Sequence, residues 1–231
     1  MTFESAAAPA TAVDTWVVIP LYNEATVIAE VVRGLREQFS QIVCIDDGSR
    51  DGSGEIARLA GAHIVTHPIN LGQGAALQTG FEYALERGAE YVVTFDADGQ
   101  HRVVDAVAML QRARDEDLAI VFGSRFLDDR TKPGILKKIV LKTAVAVTNI
   151  TTRTKLTDAH NGLRVIRADA VRAIKLRQDR MAHGTEIVVQ LGRSGLPYAE
   201  HPVEVIYSEY SKAKGQSLLN SVNILVDLII R

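Results

Sequence analysis

Cysteine is nearly absent from this sequence: Cys44 stands alone among 231 residues. One thiol closes no internal disulfide, so a disulfide scaffold is excluded and the usage fits a reducing compartment. A thiolate zinc site is excluded with it. An excess of charge of one sign is also missing. Lys and Arg number 26 against 28 Asp and Glu, a net charge of −2. No overall basic field therefore draws the chain to nucleic acid. No apolar run reaches the roughly 20 residues that span a bilayer. The opening MTFESAAAPATAVDT holds no Lys, no Arg and no apolar stretch. It reads as a disordered lead over residues 1–14, not a signal peptide. The 47% hydrophobic and 23% charged fractions are those of a globular protein, which excludes disorder throughout and collagen. The length suffices for a sizeable core.

What is present is an alternation. Apolar runs of strand length (16–19, 41–45, 63–65, 91–95 and 119–122) are separated by helical patterns over 25–38, 54–60, 74–87 and 103–114. Runs such as VVI, IVCI and YVVTF are apolar on both faces, as strands buried between helical layers are. The expected class is α/β, a mostly parallel central sheet with helices on both faces. Ligands of such sheets bind beyond the carboxyl ends of the strands. Those ends read Pro20-Leu-Tyr22-Asn-Glu24, Asp46-Asp47-Gly-Ser, Asp96-Ala97-Asp98-Gly-Gln100-His101 and Gly-Ser-Arg125. Any one acidic loop could be a turn or a helix cap. Together they crowd carboxylates on one edge, which costs free energy unless a cation or donors balance them.

These blocks resemble family 2 glycosyltransferases, and within them the dolichol- and polyprenyl-phosphate sugar synthases. The resemblance rests on VVIPLYNE (17–24), IDDGSRDGS (45–53), NLGQGAALQTG (70–80), TFDADGQH (94–101), FGSRF (122–126) and DAHNGLRVIRADAV (158–171), in family order over about residues 16–217. It implies a catalytic domain of glycosyltransferase A-type fold over 15–217, followed by an apolar C-terminal helix over 218–231. It implies a nucleotide-diphosphate sugar as donor, polyprenyl phosphate as acceptor and Mg²⁺ or Mn²⁺ as cofactor. Asp96 and Asp98, two residues apart, can reach one hard cation, which takes one or two carboxylates plus phosphate oxygens and water. By resemblance Gln100 joins them.

The same resemblance puts Pro20, Tyr22, Glu24, Asp47, Asp96, Ala97, Asp98 and Arg125 around the nucleotide sugar. Asp47 would read the base or ribose, with Asp46 holding the loop. Gly72 and Gly74 suit a turn that opens a helix, and the GxGxxG of dinucleotide folds is missing after the first strand. Arg125 suits a bidentate grip on phosphate. Asp158, Asn161, Arg164 and Arg167 match the acceptor block, in which Asn161 replaces Ser and Leu163 an aromatic. Asp158 either orients the acceptor or accepts from an Arg, and one of the two arginines could be structural. Asp98, Arg125, Arg164 and Lys212 are the expected catalytic set, Lys212 taking the Arg position of a lid loop over 211–217.

Saccharide-glycosylating relatives carry Glu-Asp before a segment comparable to 186–195; here the pair is His183-Gly184. A hydroxyl nucleophile needs a base, whereas a phosphate monoester is already ionised. The missing pair favours a lipid-phosphate acceptor, with His183 as the substitute base if the acceptor is a saccharide hydroxyl. Residues 130–157 carry Arg130, Lys132, Lys137, Lys138, Lys142, Arg153 and Lys155 and no acid. This is a solvated basic helix, a surface for an anionic membrane or a cover for an anionic acceptor. The C-terminal LLNSVNILVDLII has one polar stripe, Asn220, Asn223 and Asp227. It either packs on the domain or docks on a membrane or a membrane-protein partner. The expected setting is cytoplasmic, peripheral at the inner face of the membrane; homo-oligomerisation is left open. A sugar nucleotidyltransferase shares the sheet pattern but wants a glycine- and arginine-rich first loop.

Overall fold

The computed structural model describes residues 13–128, 155–158, 161–176 and 183–206. Seven strands form one sheet: β1 (Thr15–Leu21), β2 (Gln41–Asp46), β3 (His63–Thr66), β4 (Tyr91–Thr94), β5 (Ile120–Ser124), β6 (Arg164–Arg167) and β7 (Tyr198–Pro202). Among the described residues six helices accompany them: α1 (Ile28–Arg36), α2 (Ser53–Leu59), α3 (Gln73–Glu86), α4 (Val103–Asp115), α5 (Ala168–Ala173) and α6 (His183–Ser194).

The strand order is β3-β2-β1-β4-β6-β5-β7. Alternate strand residues feed two cores, as the period of two requires. Val17, Ile19, Leu21, Ile42, Cys44 and Val93 meet α1, α2 and α4. Trp16, Val18, Val43, Ile45, Val92, Ile120 and Ile166 meet α3, α5 and α6. Strands sandwiched this way must be apolar on both sides, which is why they stand out as unbroken apolar runs without alternation. Helix α3 lies close because Gly80 is one of its contact residues. A Cβ there would stand 2.2 Å from Val18 Cγ1 and 3.3 Å from Ile45 Cγ1.

The sheet is parallel except at β6, which runs antiparallel to both β4 and β5. This reversal matters for chemistry. Arg164 opens β6 opposite Thr94 and Phe122, at the carboxyl ends of β4 and β5, while Arg167 lies opposite Tyr91 at the far end of β4. At ~3.3 Å per residue the two arginines are about 10 Å apart along the strand. The chain preceding β6, with Asp158 and Asn161, is thereby delivered to the edge where β1, β2, β4 and β5 end.

The helix expected from Ala25 begins at Ile28. The three preceding amides are held elsewhere: Asn23 N donates to Ser49 Oγ, Glu24 N to Ser53 Oγ and Ala25 N to Asp51 Oδ2, at 2.8–3.0 Å. Asn23 is left-handed, with φ 52°, so the chain breaks direction there before it can wind. At the other end of the sheet Asp14, read from the sequence as part of the lead, is tied down. Its carbonyl accepts from Glu90 N and its carboxylate pairs with Arg114 at 2.5 Å. Among the described residues no helix is long and apolar enough to cross a membrane. The basic segment (except Lys155), Lys212 and the lid loop, the C-terminal helix and the His183 side chain lie outside what is described.

Candidate active site

Strand order reverses around β1, whose chain leaves toward β2 on one side and is joined by β4 on the other. Open α/β sheets bind ligands at such switch points. A cleft of about 540 Å³ lies there, lined among others by Pro20, Tyr22, Glu24, Asp47, Gly72, Gln73, Asp96, Ala97 and Asp98. Every residue expected from the sequence to surround the nucleotide sugar, Arg125 apart, lines this cleft.

The first wall is made of two interlocked loops. The 22–25 segment is pinned to the 49–53 segment by the three amide bonds above and by Arg50 N donating to Asn23 Oδ1 at 2.9 Å. Asp46, 8% exposed, accepts from Ser49 N at 2.9 Å and so holds its own turn. Held this way, Tyr22 stays 45% exposed at the cleft while Glu24 is buried.

Asp47 has more to do than the sequence suggested. Its Oδ1 accepts from Leu71 N at 2.9 Å and from the His67 imidazole at 2.7 Å, and its Oδ2 accepts from Gly72 N at 2.7 Å. The other nitrogen of His67 meets Thr79 Oγ1 at 2.9 Å. Asp47 is therefore the anchor of the 70–72 loop as well as a wall of the cleft. Gly72, at φ 101°, opens α3 as expected. The part played by His67 was invisible in the sequence, where nothing links a histidine to an acid twenty residues away.

The opposite wall is the Asp96–Gln100 turn. Asp98 Oδ1 accepts from Gln100 N at 3.1 Å and Oδ2 from Gln100 Nε2 at 2.8 Å. Asp96 Oδ2 meets His101 Nε2 at 2.9 Å, and Oδ1 accepts from Gln73 Nε2 at 3.3 Å. Gly162 lies against the same carboxylate; a Cβ there would be 2.1 Å from Asp96 Oδ2. Thr94 Oγ1 donates to Gly162 O at 2.6 Å and fixes that approach. Burial, and then the Asp96 charge, push the Asp98 carboxyl up to about 6. A carboxyl raised by burial and by the charge of a neighbouring carboxylate in a shared cleft suits a hard divalent cation. Among the described residues no three His, Cys, Asp or Glu side chains form a closed metal site. The donor set of Asp96, Asp98 and Gln100 thus fits an ion that completes its shell with substrate phosphate and water.

The third wall comes from β5 and the chain before β6. Asp158, 1% exposed, binds Arg125 bidentately: Oδ2 accepts from Nε at 2.6 Å and Oδ1 from Nη2 at 2.8 Å. Arg125 was expected to grip the donor pyrophosphate; the structure turns that face of its guanidinium to Asp158. Glu200 on β7 anchors this loop, its Oε1 accepting from Thr157 N, Thr157 Oγ1 and Asp158 N at 2.8–3.0 Å. Burial holds the Glu200 carboxyl above its usual range. Arg164 is 2% exposed, and its pKa falls to about 10 through burial, offset by the Asp96 and Asp158 charges. Its Nε and the Nδ2 of Asn161 are buried donors without a partner among the described residues. Unpaired buried donors are costly and rare, and these two lie at the end of β6 that meets the carboxyl end of β4. Arg167, expected beside them, is not there. It pairs with Asp117 and Asp169 at 2.5 and 2.9 Å, at the other end of β6. Three residues along a strand moves a side chain to the opposite edge and the opposite face.

Comparisons with known proteins agree with this geometry. The model of Glycosyl transferase family 2 matches residues 16–175. A UDP-N-acetylglucosamine–dolichyl-phosphate N-acetylglucosaminyltransferase of Methanococcus voltae is 28% identical over 93% of this chain and 94% of its own length. An undecaprenyl-phosphate mannosyltransferase of Micrococcus luteus is 29% identical over 85% of each chain. Among solved structures, a glucosyl-3-phosphoglycerate synthase of Mycobacterium tuberculosis, crystallised with Mn²⁺, UDP and phosphoglyceric acid, superposes with a TM-score of 0.68. It covers 93% of this chain and 78% of its own at 15% identity, which speaks to the fold. The sheet is that of the glycosyltransferase A-type fold, and the chain belongs to glycosyl transferase family 2, as a glycosyltransferase.

Proposed function

We propose that the protein transfers a sugar from a nucleotide-diphosphate sugar to polyprenyl phosphate, with inversion and with Mg²⁺ or Mn²⁺ bound. The observation that carries the metal-dependent part is the pair Asp96 and Asp98 on one wall of the cleft, with the Asp98 carboxyl pushed up to about 6. The acceptor class is supported by two relatives named for dolichyl- and undecaprenyl-phosphate transfer. It is supported also by the missing Glu-Asp pair before residue 186.

Each wall has a task under this reading. Tyr22, Glu24 and Asp47 hold the nucleoside, the last while keeping the 70–72 loop in place. Asp96, Asp98 and Gln100 would hold the cation, which supplies charge neutralisation for the departing nucleoside diphosphate. Arg164, buried beside Asp96 and Asp158, contributes fixed positive charge in a low-dielectric setting. Arg164 Nε and Asn161 Nδ2 orient the acceptor phosphate so that its oxygen approaches the anomeric carbon opposite the leaving group. Arg125 and Asp158 keep that end of the cleft in shape as an ion pair. Both Asp158 oxygens are engaged, so it serves as an orienting group, not as a base. A phosphate nucleophile asks for none. By the resemblance of its loop, Lys212 would supply positive charge to balance the leaving pyrophosphate. The setting is the inner membrane face, reached by a peripheral contact or a membrane-protein partner.

The test is incubation of the purified protein with UDP-, GDP- and dTDP-sugars and Mn²⁺, offering polyprenyl phosphate, polyprenol or an oligosaccharide as acceptor. Labelled sugar is expected in polyprenyl phosphate alone. Transfer only to an oligosaccharide hydroxyl overturns the acceptor assignment in favour of polysaccharide assembly.

A further inference from the structure

We propose that His101 is a positioning residue that locks the Asp96 carboxylate in the orientation a divalent cation needs; this rests on the metal reading above. The imidazole is almost wholly enclosed, with its side chain 4% exposed. Its Nε2 lies 2.9 Å from Asp96 Oδ2. The ring stands edge-on to Phe95, centroids 5.5 Å apart, so packing sets its plane.

The backbone that carries the ring is clamped as well. His101 forms an antiparallel bridge with Val205, and Ile206 N donates to Gln100 O at 2.9 Å. Arg102 pairs with Glu204 at 2.6 Å, and Glu204 N donates to Asp105 Oδ2 at 2.9 Å. The chain segment 204–206 therefore straps the metal turn and the base of α4 on either side of the histidine. With the backbone and ring both held, the Nε2–H direction is fixed in space.

The second nitrogen gives the choice of histidine its meaning. His101 Nδ1 is buried without a partner among the described residues. A residue kept only to fill space beside Phe95 would be apolar and would leave no such orphan, which costs stability. The arrangement matches a ring whose Nε2–H donates to Asp96. Gln73 Nε2 meets the other oxygen of Asp96, and Gly162 presses on the carboxylate from the third side. Asp96 is left a single setting, so a ligand that would otherwise lose side-chain freedom on metal binding has already lost it.

Two substitutions separate donor from filler. His101→Phe keeps an aromatic ring on Phe95 and removes the donor; His101→Gln returns an amide N–H near the place of Nε2. Mn²⁺ is titrated in the presence of UDP and, separately, GDP, by calorimetry, and each variant is melted. Loss of such a supporting bond weakens metal sites by about 10–100-fold. That loss is expected for His101→Phe with little change in Tm, and most of the affinity is expected back in His101→Gln. Native affinity in the Phe variant, or losses in both variants that merely follow their Tm, overturns the positioning role. So does a ¹⁵N spectrum of the metal-free protein that places the His101 proton on Nδ1. Asp98→Ala is titrated alongside: if it takes up Mn²⁺ like the native protein, the metal reading itself fails, and the role of His101 fails with it.

Discussion

Gly162→Ala is a one-atom-group change that ought to disable the site without unfolding the protein. The added Cβ would lie 2.1 Å from Asp96 Oδ2, 2.6 Å from Cγ and 2.7 Å from Oδ1. Ordinary contact needs well over 3 Å, so one side must retreat by about 1 Å. Gly162 cannot, because its carbonyl is bonded to Thr94 Oγ1 at 2.6 Å. Asp96 then leaves the His101 bond and its alignment with Asp98. A misplacement of about 1 Å at a reacting centre costs on the order of 100-fold in rate, or about 2.7 kcal/mol of transition-state stabilisation. Overpacking costs about 1–3 kcal/mol of stability. The assay is donor kcat/KM at saturating Mg²⁺ together with thermal melting. Near-native kcat/KM, or a loss fully accounted for by unfolded protein, would refute the claim that Gly162 is kept small for Asp96.

Other substitutions read the remaining walls. Asp98→Asn should abolish metal-dependent transfer yet raise Tm in chelator at pH 7.5. The folded carboxyl sits at about 6 against an ordinary 3.8, so its charge opposes folding above pH 6. The cost shrinks through the window between these values and is gone below 3.8; the gain has a ceiling of about 3 kcal/mol. An Asp98→Asn Tm increment that does not vanish at pH 3.5 contradicts this. Asp47→Asn keeps one acceptor oxygen and turns its NH2 toward the N–H of either Leu71 or Gly72, a part-buried donor then left unpaired at a cost of about 1–3 kcal/mol. Nucleotide affinity by calorimetry should fall at least ~10-fold, corresponding to ~1.4 kcal/mol. Arg164→Met removes a buried positive charge that interacts with the Asp96 and Asp158 carboxylates, and should raise the KM for polyprenyl phosphate at least ~10-fold, corresponding to ~1.4 kcal/mol. Arg167→Ala, at the far edge, should cost about 1 kcal/mol or less and leave the KM for polyprenyl phosphate unchanged.

Much of this architecture could be read from the residues because it is locally encoded. Doubly apolar strands flanked by amphipathic helices betray a two-layered sheet, and short polar blocks at their ends announce the cleft. Asp96, Asp98, Tyr22 and Glu24 were legible for that reason. Strand direction was not. RVIR is not among the expected strands, nothing in it shows that β6 runs backwards, and without that direction Arg164 and Arg167 look equivalent. β7, YAEHP, has neither alternation nor β-branched residues; it lies last in the sheet order and pairs with β5 alone among the described strands, so it was passed over. The supporting groups were equally hidden. His67 under Asp47, Glu200 under Asp158 and the strap at 204–206 act across 20 to about 100 residues of sequence, where only tertiary structure brings them together. Arg125 was read correctly as a strand-end cation, but its partner proved to be a neighbouring carboxylate.

The account turns on a cation seated by Asp96 and Asp98 during sugar transfer to a lipid phosphate. Its most direct test is the initial rate of transfer from the best nucleotide sugar to polyprenyl phosphate, with Mn²⁺ and with excess EDTA, in the native protein and in Asp98→Ala. The predicted result is loss of at least ~99% of the rate (about 2.7 kcal/mol) in EDTA, recovery on adding back Mn²⁺ or Mg²⁺, and no recovery in Asp98→Ala. An undiminished rate in EDTA, or native turnover by Asp98→Ala, would contradict it.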